Sequence, residues 1–261
     1  MKNLLQSDFY RLFKSKSYYI CALVAILLFG SNIFLLDWSL KTLSKSSGMP
    51  ADLPYKDGIS YGLTVFSQGN VLMIIAIFIS IFVIAEFSHG TMKNTISKGF
   101  HKLKVYLSKL ITMTAAAFLL FLVTFFVGVV SGTIVTGNIG DLTGDYVSFI
   151  FKSTGIELLL NLALIAVLTM VAMIVRNLGG AIAIDLIGVL SLESVAFQAL
   201  EFLFDGRIKF SQFSLMSNIS FYYMNQTAAG ADYFRSVIVG LAFLVIATVL
   251  GIFVFKKADV K

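Results

Sequence analysis

The sequence predicts an all-α integral membrane protein with six transmembrane helices and an N-terminal amphipathic interfacial helix. Three observations predict it. Of the 261 residues, 58% are hydrophobic and only 13% are charged, with a mean hydropathy of +0.90. A soluble chain of this length needs a far more polar surface. Apolar runs long enough to cross a hydrocarbon core of about 30 Å recur along the chain, separated by polar pieces. Spans of this length keep their backbone hydrogen bonds inside one helix, as lipid requires. Finally, with six spans and both ends inside, the cytoplasmic pieces hold 13 of the 20 Lys and Arg and the longer outer pieces hold 7. The positive-inside rule favours that orientation.

Residues Lys2 to Lys16 are basic and amphipathic, with Leu5, Phe9, Leu12 and Phe13 on one helical face. This fits a helix lying in the cytoplasmic interface. A signal peptide fits less well, because the following apolar run is long and no small-residue cleavage site follows it. The first span is read over Tyr18–Leu36. Asp37 to about Val65, with Pro50 and Pro54, reads as an outer loop. The second span is about Phe66–Ala85, with Gln68, Gly69 and Asn70 at its outer end. The third is about Leu110–Val135, where Gly128 and Gly132 form a small-xxx-small pair that suits a helix contact, although chance produces such pairs in a chain with 20 glycines. A short outer loop carries Asp141 and Asp145. The fourth span is about Ile156–Val175, closed by Arg176 and a tight turn. The fifth is about Leu178–Phe197, and the sixth is Val237–Phe255, closed by Lys256 and Lys257. Gln198 to Tyr233 is too interrupted to span and reads as short helices at the outer face. The whole of 1–261 is thus one transmembrane domain, with an interfacial helix over 1–17, a cytoplasmic segment over 88–105 and broken outer helices over 198–236.

The polar island from Glu86 to Lys109 organises this layout. It carries five lysines and no acid after Glu86, and long apolar runs enclose it. Its middle suits a short helix that Thr91 or Asn94 caps and Gly99 ends. A rigid helix at the membrane surface is what a membrane protein offers to a soluble partner.

Several chemistries are missing from the sequence. There is no Gly-Lys-Ser/Thr phosphate loop, no His-Glu-x-x-His and no Gly-x-Ser-x-Gly. No nucleophile is grouped with a base, so no catalytic residue is assigned and an enzyme is not expected. The single cysteine, Cys21, excludes an intrachain disulfide or a cysteine-based zinc site, and His89 and His101 are too few for a metal cage. No basic soluble face is visible, so nucleic acid is not an expected partner. Asn218-Ile-Ser220 and Asn225-Gln-Thr227 match a glycosylation pattern short enough to be accidental.

The island resembles the loop between the second and third spans of the ABC type-2 exporter permeases. Glu86, Gly90-Thr91, Lys93-Asn94, Ser97-x-Gly99 and Lys109 follow that family's pattern in order, with Lys102 where an Arg is usual. The layout of an amphipathic N-terminal helix, six spans and broken helices before the last is similar too. The resemblance implies a permease subunit bound to two ABC ATPase subunits, which hold ATP and Mg²⁺, and to a second permease chain, identical or homologous. This chain itself would bind no cofactor. Glu86, Gly90, Thr91, Lys93, Asn94, Ile96 and Gly99 would couple the spans to the ATPase, with Gly90 to Gly99 as the docking helix. Lysines 98, 102 and 104 are read more simply as topology determinants and lipid-phosphate contacts.

Within the family the short N-terminal region, Ser7-Asp8-Phe-Tyr, looks most like the Gram-positive bacitracin-resistance, lantibiotic-immunity and phenol-soluble-modulin exporters. That likeness implies export of an amphipathic or antimicrobial peptide across a bacterial plasma membrane. Export of a drug, a lipid or a sodium ion, or a non-transporting sensor or anchor role, are the alternatives. Asp185 and Glu193 in the fifth span are the intramembrane candidates. An acid there is costly and faces protein or water. Two readings stand, a pathway-lining role and a helix–helix or dimer contact, and Glu193 and Glu201 also suit the outer interface.

Overall fold

The computed structural model describes residues 1–47, 53–140, 143–204, 209–224 and 230–257. Pro50, Asp141 and the Asn225 pattern lie outside these residues. The described residues form helices joined by short connections: α1 Lys2–Lys14, α2 Lys16–Ser47, α3 Gly58–Leu63, α4 Gly69–Ser88, α5 Thr91–Ser97, α6 Lys102–Thr136, α7 Gly144–Val175, α8 Leu178–Ala183, α9 Glu193–Leu203, α10 Leu215–Met224 and α11 Gly230–Lys257. A 3₁₀ turn, Thr64–Phe66, joins α3 to α4, another covers Phe210–Phe213, and a π-helix, Ile184–Leu192, joins α8 to α9. Among the described residues six apolar helical stretches are long enough to cross a membrane: 16–46, 58–88, 102–136, 146–175, 178–203 and 230–257. The protein is a multi-pass membrane protein of the expected class.

The helices are longer than the apolar runs that predict them. Polar residues end the membrane layer without ending the helix. In α2 the Lys41 ammonium donates to Asp37 one turn earlier at 2.6 Å, and the Ser39 and Thr42 hydroxyls donate to carbonyls of the preceding turn. The helix therefore continues to Ser47, past the expected end at Leu36. In the same way α7 begins at Gly144 and α11 at Gly230, each well before its apolar window.

The expected outer loop before the second span is a correction. Residues 58–66 fold back into the bundle as α3 and its 3₁₀ turn. Asp57 caps α3, accepting from the Ser60 amide at 2.7 Å, while the Ser60 hydroxyl lies 3.2 Å from the Asp57 amide. Tyr61 is fully buried and its hydroxyl donates to the Phe29 carbonyl of α2 at 2.5 Å. The α3 helix sits here because glycines line both sides of its contact with α6. A Cβ on Gly128 would lie 3.0 Å from the Gly62 Cα, and one on Gly132 would lie 2.9 Å from the Gly58 Cα. The Gly128–Gly132 pair thus makes a helix contact, with a glycine pair of α3 as its partner.

This contact predicts that Gly132→Val forces α3 away from α6. Overpacking of this kind costs about 1–3 kcal/mol, read as a lowered unfolding midpoint in detergent. Gly155→Ala is the control, since nothing lies within 4 Å of its would-be Cβ and the site is exposed on α7. It should leave the midpoint unchanged or raise it slightly.

Candidate functional site: the α4–α5–α6 elbow and the ion cluster above it

The island folds as an elbow. The α4 helix ends at Ser88 with His89 as its cap, and Gly90 takes φ +67°, a left-handed conformation that frees the chain to turn at once into α5. Gly99 takes φ +85° at the other end, and α6 starts at Lys102. The α5 helix is seven residues long. Met92 is its fully buried anchor, and Ile96 packs partly buried against the core. Thr91, Lys93, Asn94 and Ser97 are exposed and form its polar outer face. Thr91 and Asn94 do not cap the helix. Gly90 holds the cap position, and the Thr91 hydroxyl donates back to the Glu86 carbonyl at 3.2 Å, stitching α5 to the end of α4.

Glu86 sits above this elbow in a buried cluster of four charges. Its carboxylate accepts from the Lys109 ammonium of α6 and from the Arg11 guanidinium of α1. Lys109 also donates to Asp8 of α1, and the other Asp8 oxygen accepts from the Ser108 hydroxyl at 2.6 Å. Asp8, Glu86 and Lys109 are each at most 4% exposed, whereas Arg11 is half-buried with its guanidinium 5.0 Å from the Phe82 ring centre. Burial lowers the Arg11 pKa from its ordinary value and the neighbouring Asp8 carboxylate opposes that shift. Two acids and two bases balance, so the cluster carries no net charge into the apolar interior. Mechanically it ties the N-terminal helix to the two long helices that carry α5. Arg176, at the end of α7 with φ +55°, lies 5.1 Å above the Phe87 ring, which also meets Phe255 of α11 edge-on. Four spans therefore converge on the elbow.

Asp8 and Arg11 escape a reading of α1 from its pattern alone. The buried face of α1 is Leu4, Asp8 and Leu12, while Phe13 is 51% exposed. The expected apolar face of Leu5, Phe9, Leu12 and Phe13 is therefore rotated in the structure, and an acid lies at the centre of the buried one. One signal is present in the sequence: Asp8 is the only acid in the first 36 residues.

The two intramembrane acids of the fifth span engage different neighbours. Asp185 is fully buried at the start of the π-helix and accepts from the Ser80 hydroxyl of α4 at 2.7 Å, its other oxygen having no hydrogen-bond partner among the described residues. Glu193 accepts from the Ser214 hydroxyl at 2.7 Å and the Leu215 and Met216 amides at 2.8 and 3.2 Å. Those amides open α10, so Glu193 caps that helix from a distance. It also borders a cavity of about 350 Å³ lined by Val167, Gly188, Leu192, Leu215 and Phe243. Glu201 accepts from the Ser211 amide and hydroxyl and fixes the neighbouring 3₁₀ turn. Among the described residues no three His, Cys, Asp or Glu come together as a metal site.

No curated protein matches the chain. The family model described as ABC-2 family transporter protein matches residues 4–191, well over half of the chain. The match runs from α1 through the ion cluster and the elbow to Asp185 and the π-helix. The chain belongs to the ABC-2 family of transporter proteins, as a membrane-embedded permease subunit.

Proposed function

We propose that this chain is the permease of an ATP-driven exporter of amphipathic peptides in a bacterial plasma membrane, with both termini in the cytoplasm. The exposed α5 helix would dock into a separate ABC ATPase. The observation that carries the reading is α5 itself, a short helix held between two spans by left-handed glycines and anchored by Met92, with a polar face turned outward. ATP binding and hydrolysis on the partner would push this helix, and the ion cluster would pass the push to α1, α4 and α6 together. Two ATPase subunits and a second permease chain complete the assembly in this reading. The peptide cargo rests on the likeness of the N-terminal segment to the peptide-exporting members. Drug, lipid or sodium-ion export and an anchor or sensor role are the competing assignments.

The test uses thiol chemistry. In a Cys21→Ala background, Ser97→Cys should resist an impermeant thiol reagent applied to intact cells. In inside-out vesicles it should cross-link to the co-expressed ABC ATPase. Labelling from outside would reverse the orientation, and failure to cross-link to any co-expressed ATPase would remove the docking role. Deletion of the gene should sensitise cells to amphipathic peptides, and unchanged sensitivity would leave only the coarser assignment of an ABC permease.

A further inference from the structure

A further buried acid lies in α7, far from the elbow. Glu157 is 4% exposed, and its carboxylate makes no hydrogen bond or ion pair with the described residues. It lies about 27 Å along the helix from Val175, near the opposite end of the membrane layer. One turn deeper on the same face is Asn161, 2% exposed. The Asn161 amide nitrogen donates to the Phe66 carbonyl at 2.9 Å and to the Glu157 carbonyl at 2.8 Å. Its side-chain oxygen is left buried without a partner. The same holds for the side-chain oxygen of Gln68, two residues beyond Phe66, and for the hydroxyl of Thr154, one turn from Glu157. A cavity of about 270 Å³ between α6 and α7 is lined by Asn161 and Thr114 among apolar side chains, and Glu157 does not line it.

The Glu157 carboxylate and the Asn161 and Gln68 side-chain oxygens share unspent acceptor capacity, and the Thr154 hydroxyl, both donor and acceptor, is likewise unpaired. An unpaired carboxylate in a membrane interior is costly, and orphaned buried oxygens call for an occupant. A carboxylate and an amide oxygen one helical turn apart, both without a donor, suit a hard cation or an N–H-bearing ammonium group. The charge count narrows the choice. One carboxylate balances one positive charge, whereas a divalent ion would leave the site with a net charge in a low-dielectric setting.

We infer that Glu157 and Asn161, facing the Phe66–Gln68 turn, form a binding site for a single positive charge, either an alkali-metal ion or the ammonium group of a cargo molecule. The site stands on this chain alone, so it does not depend on docking to an ATPase.

The experiment follows the thermal unfolding of the full chain in lipid nanodiscs. Sodium, potassium and methylammonium chlorides are titrated against choline chloride at equal ionic strength. Choline carries a charge but no N–H and is too large for direct oxygen coordination. A saturable rise in the midpoint with sodium or potassium identifies an ion site. A rise with methylammonium alone identifies an ammonium site for cargo. Glu157→Gln keeps the shape and removes the charge, and it should abolish the rise. Asn161→Ala should weaken the half-saturating concentration at least tenfold while leaving the charge in place. The wild-type comparison needs no variant, so a misfolded mutant does not protect the idea. No salt exceeding choline, or an undiminished rise in a folded Glu157→Gln chain, overturns the inference.

Discussion

Lys109→Met is expected to destabilise the folded chain by about 3–5 kcal/mol, because it strands buried charge. Lys109 is the shared donor of the cluster, bound to both Asp8 and Glu86. Its removal leaves Asp8 with the Ser108 hydroxyl as its side-chain hydrogen-bond donor among the described residues and Arg11 as the neighbouring charge, while Glu86 keeps its direct contact with the half-buried Arg11. The damage should therefore centre on Asp8. Adding Asp8→Asn to Lys109→Met should recover much of the loss, since replacing a buried ion pair by neutral groups is far milder than breaking one. Asp8→Asn alone leaves Lys109 with Glu86 and should cost less than Lys109→Met. The readout is the unfolding midpoint of the purified chain together with its level in the membrane. A Lys109→Met chain that melts with the wild type would mean that water reaches the cluster and that α1 is not held by it.

The ordering of these variants also separates stability from transmission. The cluster joins α1, α4 and α6, and α5 hangs between the last two. The rescued double variant should be stable yet should have lost the ionic tie between α1 and α6, keeping at most the Ser108 hydrogen bond to residue 8. If the cluster transmits force, that protein should hydrolyse ATP with its partner without moving cargo. If it only holds helices together, transport should return with stability.

The membrane layer was legible in the sequence because its physics is one-dimensional. A span must be apolar over its length, and nothing about its neighbours alters that requirement. Gly99 was legible as the end of α5, and it adopts the left-handed backbone that glycine allows; Gly90, which does the same at the other end, was not, because Thr91 or Asn94 read as the cap. What could not be read was which surfaces meet. The apolar positions of α1 suggest a face through Leu5 and Phe13, yet the buried face runs through Asp8, whose partners lie about a hundred residues away. The glycine pair in α6 was visible, but its partner pair in α3 lay in a stretch that read as a loop. Glu157 fell inside an apolar window whose average hid it.

The fifth span shows a different limit. Its π-helix, Ile184–Leu192, follows an i→i+5 pattern, and the Ser191 hydroxyl donates to the Leu186 carbonyl five residues back at 2.8 Å. Adding about a residue per turn changes which side chains share a face. Asp185 and Glu193 therefore turn to different neighbours, α4 and α10. No local propensity in this run of Ile, Leu, Val and Gly announces a π-helix. Tertiary bonds at its two ends, Ser80 to Asp185 and Glu193 to the start of α10, hold the winding in place.

Ile96→Pro is expected to abolish coupling between ATP hydrolysis and transport. The substitution falls on the sixth residue of a seven-residue helix. It removes a backbone donor and presses the ring against the carbonyl of Met92, the buried anchor of α5. In a longer helix such a change costs about 3 kcal/mol, and a helix this short has no reserve of turns to absorb it. Ile96 also packs against the core, so the α5 seat is disturbed on both its backbone and its side chain. The long helices should survive, because α4 ends before Gly90 and α6 starts after Gly99. The protein should therefore reach the membrane with a near-normal midpoint while its ATPase co-purifies poorly and substrate no longer stimulates hydrolysis. Lys104→Ala is the matched control, since it removes an exposed charge just beyond the elbow and leaves α5 untouched. Lys102 is a poorer control, because its ammonium donates to the Lys256 carbonyl at 3.1 Å and ties α6 to α11. If Ile96→Pro retains full stimulated hydrolysis and transport while Lys104→Ala loses them, charge at the membrane surface carries the coupling, and α5 is only the chain's path between two spans.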